Sequence, residues 1–193
     1  MQHAPARVRV PKLAALVALG VLAAGAEPGA QEGVITRTEA LALAYPDARV
    51  TRDRIILTSE QMVAVAALAR VGMQGRIFPR YVAREDGVVV GRAYIDTHIA
   101  KTERQSLLIS LEPDGRVKRV DVTVFFEPAQ YMAPSVWLRQ FDGQVLHEEL
   151  AVRRGIRPIA GASFTGRAIS NAVRRVLALD QVLEGRASGD PAP

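Results

Sequence analysis

The sequence contains no cysteine, and this absence removes several classes of chemistry. Disulfides, cysteine-ligated metal centres, thiol nucleophiles and a lipidated N-terminal cysteine are all excluded. Histidine is scarce as well: the chain has three, and only His98 and His147 lie beyond the first residues. Neither stands in a Gly-x-Ser-x-Gly elbow or at metal-ligand spacing from a partner. The sequence therefore predicts neither a metal site nor a hydrolytic triad.

Phosphate-binding loops and basic tracts are also missing. No Gly-x-Gly-x-x-Gly or Walker-type loop is present. Basic residues outnumber acidic ones by 25 to 20, but they cluster only in short pairs such as Arg153-Arg154 and Arg174-Arg175. Such pairs are typical of solvated helix or loop faces rather than of nucleic-acid contacts. We predict that nucleic acid is not among the partners.

Residues 1–26 have the pattern of a secretory signal peptide. "MQHAPARVRVPK" carries three basic residues, and the 14 residues "LAALVALGVLAAGA" follow, ending in small residues. A membrane-spanning helix needs roughly 20 apolar residues, so this shorter run favours cleavage after Ala26, with Ala30 as a second position. Removal leaves 22 basic against 20 acidic residues, a net charge of +2. The mature protein is expected in the periplasm.

The rest of the chain predicts one α+β domain, an antiparallel sheet of hairpins packed by N-terminal and C-terminal helices. Residues 27–37 are expected to form an extended lead-in, 38–185 the domain and 186–193 a disordered tail. Helical spacing predicts a first helix from about Thr38 to Ala44. Thr58 and Gln61 stand at capping-box spacing at the start of a second, which we expect to close at Gly72.

Between these helices and the C-terminus the pattern changes to period two. Asp86-Gly87 and Pro113-Asp114-Gly115 each separate two β-rich runs, which predicts two hairpins. A short helical pattern over 136–141 and a polar connection of some 15 residues follow. A terminal amphipathic helix is then expected to begin within a few residues of Thr165.

The start of that last helix, "PIAGASFTGRAISNAVRRVLAL", is unusual in its small residues. Ser and Thr before an apolar-periodic run are typical of an N-terminal cap, because their hydroxyls accept from orphan amides. Capping accounts for one hydroxyl. It does not account for the four small residues from Ala160 to Ser163, which allow the backbone to approach another group closely. Free amides at a helix start also suit a phosphate, so the residues alone leave capping and phosphate binding open.

"GASFT" followed by "GRAISNAV" resembles the flavinylation motif of the FMN-binding domain family. That family includes FMN-carrying subunits of the sodium-pumping NADH:quinone oxidoreductase and of the Rnf electron-transport complex. Its motif is approximately Asp-x-x-Ser/Thr-Gly-Ala-Thr/Ser-x-Thr, and the last threonine is esterified to the FMN phosphate. Here Gly161, Ala162 and Ser163 match, Phe164 takes the free position, and Thr165 stands at the attachment position.

The resemblance extends over most of residues 38–184. The segments that look like the family are "ALALAYPDARV", "YVAREDGVVVGRAYIDTHIA", "LLISLEPDGRVKRVDVTVFFEP" and "WLRQFDGQ". Glu127 stands at the family's recurring Glu-Thr or Glu-Pro. The sequence departs from the motif at Ala160, where the family has a hydroxyl, at Arg157, where it has an acid, and at Gly166, where a hydroxyl is common.

The resemblance implies an exported flavoprotein that carries FMN on Thr165 and relays electrons, as a subunit rather than as a stand-alone enzyme. It implies a flavin transferase, redox proteins and a membrane electron-transport complex as partners. The cofactor-binding residues would be Gly161, Ala162, Ser163, Phe164, Thr165, Gly166 and Glu127. The alternative is the same fold without covalent flavin, acting as a periplasmic binding or interaction module.

Three local expectations accompany this interpretation. Thr165 is expected just outside the helix, with its hydroxyl accessible to the modifying enzyme. Phe164 is expected in the core, or else against the flavin. Tyr131 and Trp137 are expected to offer apolar surface to the isoalloxazine ring.

Overall fold

The computed structural model describes Met1 and residues 32–186. Apart from Met1, the predicted signal peptide lies outside the described residues, and so does the predicted tail from residue 187 onward. Of the predicted lead-in, residues 32–36 are described and form a turn followed by irregular chain. Among the helices of residues 32–186, none combines the length and the apolar content that a bilayer span requires.

The domain is built on a five-stranded antiparallel sheet in which every strand pairs with its neighbour in the sequence. The elements in chain order are α1 (Arg37–Ala44), β1 (Arg49–Ile56), α2 (Ser59–Ala69), β2 (Ile77–Glu85), β3 (Val88–Ile99), β4 (Arg104–Leu111), β5 (Val117–Phe125), α3 (Ser135–Leu138) and α4 (Ser163–Leu183). Single 3-10 turns precede and follow α3. The predicted single α+β domain of antiparallel hairpins with helices at both ends is confirmed.

Local chemistry sets most of the boundaries as predicted. Thr58 accepts from the amide of Gln61, and the Gln61 side chain accepts from the amide of Thr58, so α2 begins with the expected capping box. Asp86 and Gly87 both have positive φ, 49° and 85°, as the tight turn between β2 and β3 requires. The end of α2 differs. Arg70 adopts the left-handed conformation, so the helix stops at Ala69, before the expected Gly72.

Helices cover both faces of the sheet. The larger core lies between the sheet and the α2 and α4 helices, and it contains most of the buried aliphatic residues. A smaller cluster on the other face packs α1 against residues such as Tyr81, Ala93 and Leu108. Side chains alternate along a strand, so one face of β3 carries Ala93 and the other face carries Arg92, Tyr94, Asp96 and His98.

Two buried ion pairs fix α4 on β3. Asp180 accepts from Arg92 Nε at 2.6 Å, and Asp96 accepts from Arg175 Nε and a terminal nitrogen, both at 2.8 Å. The expectation that Arg174-Arg175 belongs to a solvated face is therefore wrong. Arg174 is 6% exposed, because its guanidinium donates to the carbonyl oxygens of Ala69 and His147 in the segments packed beside α4.

Candidate functional site

The N-terminus of α4 has free backbone donors. The helix begins at Ser163 with Ala162 as its cap, and no side chain bonds to the cap position. Ser163 is thus the first helical residue and not a cap, which corrects the capping interpretation. Within residues 32–186 no acceptor is found for the amides of Ser163, Phe164 or Thr165. These amides and the positive end of the helix dipole favour an anion here.

A small cavity lies at these amides. It has a volume of about 170 Å³ and is lined by Lys101, Glu127, Tyr131 and residues 161–165. The fold thus brings Glu127 together with most of the predicted cofactor-binding residues. Pockets for drug-sized ligands typically enclose about 300–1,000 Å³. The cavity therefore suits a small group such as a phosphate, while a ring system would have to lie outside it.

The backbone conformation favours glycine at position 161. Gly161 has φ of 74°, and a Cβ placed on it would meet no atom within 4 Å. The reason for glycine is thus the left-handed conformation and not a close neighbour within the protein. Gly166 lies behind the cavity, where a Cβ would be 3.5 Å from the Trp137 ring.

Thr165 lies inside the first turn of α4 and is 2% exposed. The expectation of an accessible hydroxyl outside the helix is wrong. Residues three and four apart share a helix face, and Thr165 stands four residues before Ile169, which is fully buried against the sheet. Thr165 nevertheless lines the small cavity, so the cavity is where a ligand could reach it.

Phe164 lies at the surface and not in the core, with 52% of its area exposed. The Arg167 guanidinium stands 5.0 Å from the centre of its ring, and Lys101 Nζ stands 6.0 Å from it. Lys101 Nζ is also 5.5 Å from the ring of Tyr131. Two aromatic rings and an ammonium group thus surround the mouth of the cavity, an arrangement that favours cation–π contacts.

Trp137 does not share this position. It is 9% exposed, packs edge-to-face on Phe141 and donates from Nε1 to the carbonyl oxygen of Arg157 at 2.7 Å. Of the two aromatic residues expected to face a ring system, Tyr131 lines the cavity and Trp137 belongs to the core.

Glu127 holds the turn that carries Lys101. Its Oε1 accepts from the amides of Lys101, Thr102 and Glu103 at 3.0, 2.5 and 2.8 Å. These hydrogen bonds, that from Thr102 foremost, lower the pKa of Glu127. The side chain is therefore an anionic clamp on the β3–β4 connection and no proton donor at neutral pH.

We expect Glu127→Gln to accelerate hydrogen exchange at the amides of residues 101–103, because a neutral amide oxygen accepts more weakly than a carboxylate.

The same clamp should depend on pH in the wild type, because the pKa of Glu127 in the folded protein lies below its value in the unfolded chain. The contribution of Glu127 to stability is then fully present above the unfolded pKa of about 4.3 and is lost as pH falls through the folded value. Exchange measured by mass spectrometry from pH 3 to 7 checks this. Glu148→Gln, at an exposed pair with Arg70, is the control, and unchanged exchange in the Glu127 variant would contradict the clamp.

A groove of about 290 Å³ runs along α4 beside the cavity. Phe164 borders both spaces, so they adjoin at one residue. His98 lies in the wall of the groove, buried, with Nδ1 at 2.7 Å from Asp96 Oδ1. Sequence reasoning passed over His98 and Lys101 as site residues. The one local signal for His98 is Asp96-x-His98, two polar residues on the same face of a strand.

His147, the other histidine considered, is exposed, and its imidazole Nε2 lies 3.1 Å from Oε1 of Gln144. Comparison of the sequence with protein-family profiles and with curated proteins found no match.

Proposed function

We propose that the chain is an exported flavoprotein domain that carries FMN in a phosphoester linkage to Thr165 and relays electrons between redox partner proteins. The observation that carries the proposal is the cavity at the start of α4, where the motif residues meet Lys101 and three amides that have no acceptor within residues 32–186. The resemblance of the motif supplies the identity of the group, and the N-terminal pattern supports export.

The residues of the cavity fit a phosphate ester. The amides of 163–165 and the Lys101 ammonium supply donors and positive charge, and the cavity volume of about 170 Å³ is large enough for one phosphate group. Glu127 also lines the cavity, and its charge opposes a phosphate. Its Oε1 is already bonded to three amides, and Lys101 next to it offsets the remaining charge.

The isoalloxazine ring would lie outside the cavity, beside Phe164 and Tyr131, whose rings are the apolar surface at its mouth. FMN supplies one- or two-electron transfer when bound, while the chain binds and orients it. This arrangement suits an electron-transfer subunit, with redox proteins and a membrane electron-transport complex as the partner class, rather than a stand-alone enzyme.

Attachment requires a flavin transferase to reach a buried threonine. The first turn of α4 has no side-chain cap. A helix end without such a cap lacks about 1 kcal/mol of stabilisation. We expect the transferase to act on the chain with this turn opened, since helix ends open at low free-energy cost.

A second candidate is the same fold acting as a binding or interaction module without covalent flavin. The burial of Thr165 favours it, as do Ala160 and Arg157 at motif positions where the family has a hydroxyl and an acid. In this structure Arg157 is exposed, and its main chain is bonded to Trp137 and Gln140.

Intact-mass analysis separates the two. We expect protein coproduced with an active flavin transferase and recovered from the periplasm to begin at Glu27 or Gln31 and to be heavier by one FMN less one water. The label should map to the peptide containing 161–167. A known flavinylated domain in the same cells is the control. If that control is labelled while this chain carries neither covalent nor tightly bound flavin, the binding module is the better assignment.

A further inference from the structure

The face of the sheet that carries α1 is open at one end. Large apolar side chains are exposed there, where β1, β3 and β5 end and β2 begins. Four of them have more than half of their surface exposed: Ile56 63%, Ile77 59%, Ile99 57% and Phe126 61%. Monomeric proteins rarely gather so much exposed apolar surface in one place unless a partner or a membrane covers it.

Strand alternation assigns two of these residues to the face of α1. Tyr81 and Ile95 belong to the cluster that packs against α1. Ile77 comes four residues before Tyr81 on β2, and Ile99 comes four residues after Ile95 on β3. Residues separated by an even number of positions lie on the same side of a strand, so Ile77 and Ile99 lie on the α1 side.

Pairing across the sheet adds the other two residues and an arginine. Ile56 pairs with Ile77, and Arg104 pairs with Ile99. The amide of Phe126 donates to the carbonyl oxygen of Arg104, so Phe126 lies opposite Arg104. Opposite residues of an antiparallel pair share a face. All five side chains are therefore on one surface.

The charged side chains of this surface are cations. Arg104 lies between Ile99 and Phe126, and Arg54 comes two residues before Ile56 on β1. Both arginines are exposed, and neither guanidinium forms a hydrogen bond or a salt bridge within residues 32–186. At this end of the five strands, no aspartate or glutamate occupies a position on the α1 side. We call the surface formed by the two arginines and the four apolar residues the open face.

We propose that the open face docks on the surface of an anionic lipid bilayer. Its four apolar side chains enter the headgroup region, and Arg54 and Arg104 bind lipid phosphates. Arginine pairs with phosphate oxygens in a bidentate geometry, and basic side chains beside apolar ones are attracted to anionic leaflets. Neither FMN nor Thr165 takes part in these contacts.

The shape of the open face favours a bilayer over a single protein anchor. Its apolar residues are spread from β1 to β5, which at the usual strand spacing is a width of about 19 Å. Protein interfaces concentrate their binding energy in a few side chains buried in pockets. A broad surface with separate apolar side chains and cations instead matches a layer of phosphates above hydrocarbon.

A second copy of the chain is the competing cover. In a two-fold dimer the same patch meets itself, so Arg54 and Arg104 of one protomer would lie close to the same arginines of the other. The open face has no acid to balance them, and facing like charges oppose association. The charge of the open face is therefore complementary to an anionic bilayer and not to itself.

Vesicle sedimentation at low salt tests the inference. We expect the unflavinylated mature chain to bind vesicles of equimolar phosphatidylcholine and phosphatidylglycerol about tenfold more tightly than vesicles of phosphatidylcholine alone. Phe126→Asp should weaken binding to both by about tenfold, because it places a charge in the headgroup region. Arg54→Gln combined with Arg104→Gln should remove the preference for the anionic vesicles.

Two matched controls lie at the opposite end of the sheet. Val88 is 66% exposed beside the turn between β2 and β3, so Val88→Asp should bind as the wild type does. Arg49 is exposed at the start of β1, so Arg49→Gln should keep the preference for phosphatidylglycerol. Equal losses in the control variants and in the open-face variants would overturn the inference, because the binding would then follow overall charge and hydrophobicity.

The absence of native cysteine allows a direct test of orientation. Ile99→Cys and Val88→Cys each provide a single thiol for a fluorophore that reports polarity. We expect the emission of the label at position 99 to shift to the blue when anionic vesicles are added, and that of the label at position 88 to stay unchanged. Equal shifts at the two positions would contradict docking by the open face.

Two further results would overturn the inference. Absence of binding to the anionic vesicles would exclude a bilayer as the cover. A dimer in sedimentation velocity that Phe126→Asp dissociates would assign the open face to a second copy. These outcomes are separate from the proposed function. Vesicle binding by a chain that is never labelled with FMN leaves the docking intact, and a labelled chain that binds no vesicles contradicts only the docking.

Discussion

Asp180→Ala is expected to lower the free energy of unfolding by about 3–5 kcal/mol, because it removes one partner of a buried ion pair. Asp180 is 1% exposed and accepts from Arg92 Nε at 2.6 Å and from the Tyr94 hydroxyl at 2.7 Å. Without it the guanidinium of Arg92, whose side chain is 6% exposed, stays buried and keeps only the longer contact with Glu184, which is 3.9 Å away and 31% exposed. A domain of ordinary stability has about 5–15 kcal/mol in all, so the variant should be close to unfolding.

Two further variants decide whether burial is the cause. Asp53→Ala removes an exposed partner of Arg80, with the atoms 3.3 Å apart and Asp53 46% exposed, and should cost less than about 1 kcal/mol. The double variant Arg92→Met with Asp180→Leu should lose less than Asp180→Ala alone, because neither charge remains to be desolvated. Urea unfolding followed by circular dichroism measures all three. A loss in Asp180→Ala no greater than in Asp53→Ala would mean that the pair does not anchor α4.

The β2–β3 and β4–β5 hairpins were predictable because their signals are local, whereas β1 was not predicted. Asp86-Gly87 and Gly115 take positive φ, which few residue types adopt, and such turns join adjacent strands. Thr58 and Gln61 mark the start of α2 in the same way, since the capping box needs only residues three apart.

The buried arginines of α4 were not predictable from local pattern. Arg175 lies 79 positions from Asp96 in the sequence, and a helical wheel assigns an arginine to solvent unless its partner is known. The alternation of Arg92, Tyr94 and Asp96 on one face of β3 was the available signal. It indicates a face that needs polar partners, but it does not say which helix supplies them.

The orientation of the motif was predicted wrongly at both Phe164 and Thr165, for one reason. The interpretation began the helix after Thr165, whereas the buried stripe continues one turn toward the N-terminus. Four residues before Ile169 is Thr165, which is buried, and four before Ala168 is Phe164, which lies at the edge of the stripe and is exposed. When the residues of a helix turn are small, the sequence does not show that the buried face continues through it, because small side chains add little to a hydrophobic pattern.

Thr165→Ala should abolish the covalent FMN label completely, since Thr165 lines the cavity and no other hydroxyl occupies the last motif position. Thr165→Ser keeps a hydroxyl there and should retain label. Ser163→Ala should also retain label, because Ser163 is exposed at the first helical position and is not a cap. Intact mass, normalised to folded protein, checks each variant in the presence of the transferase.

Gly161→Val should reduce the label while Thr165 stays in place, because a β-branched residue at φ of 74° is strained and the loop before the amides must shift. Gly143→Val is the matched control. Gly143 has the same φ of 74° and the same open surroundings, but it does not line the cavity. The Gly143→Val variant is therefore strained in the same way without a change at the attachment site. Equal loss of label in both glycine variants would mean that strain alone is responsible. Full label in Gly161→Val would show that the loop conformation does not shape the attachment site. Label on Thr165→Ala would show that FMN is attached to another residue. The cavity at the start of α4 would then not be the attachment site.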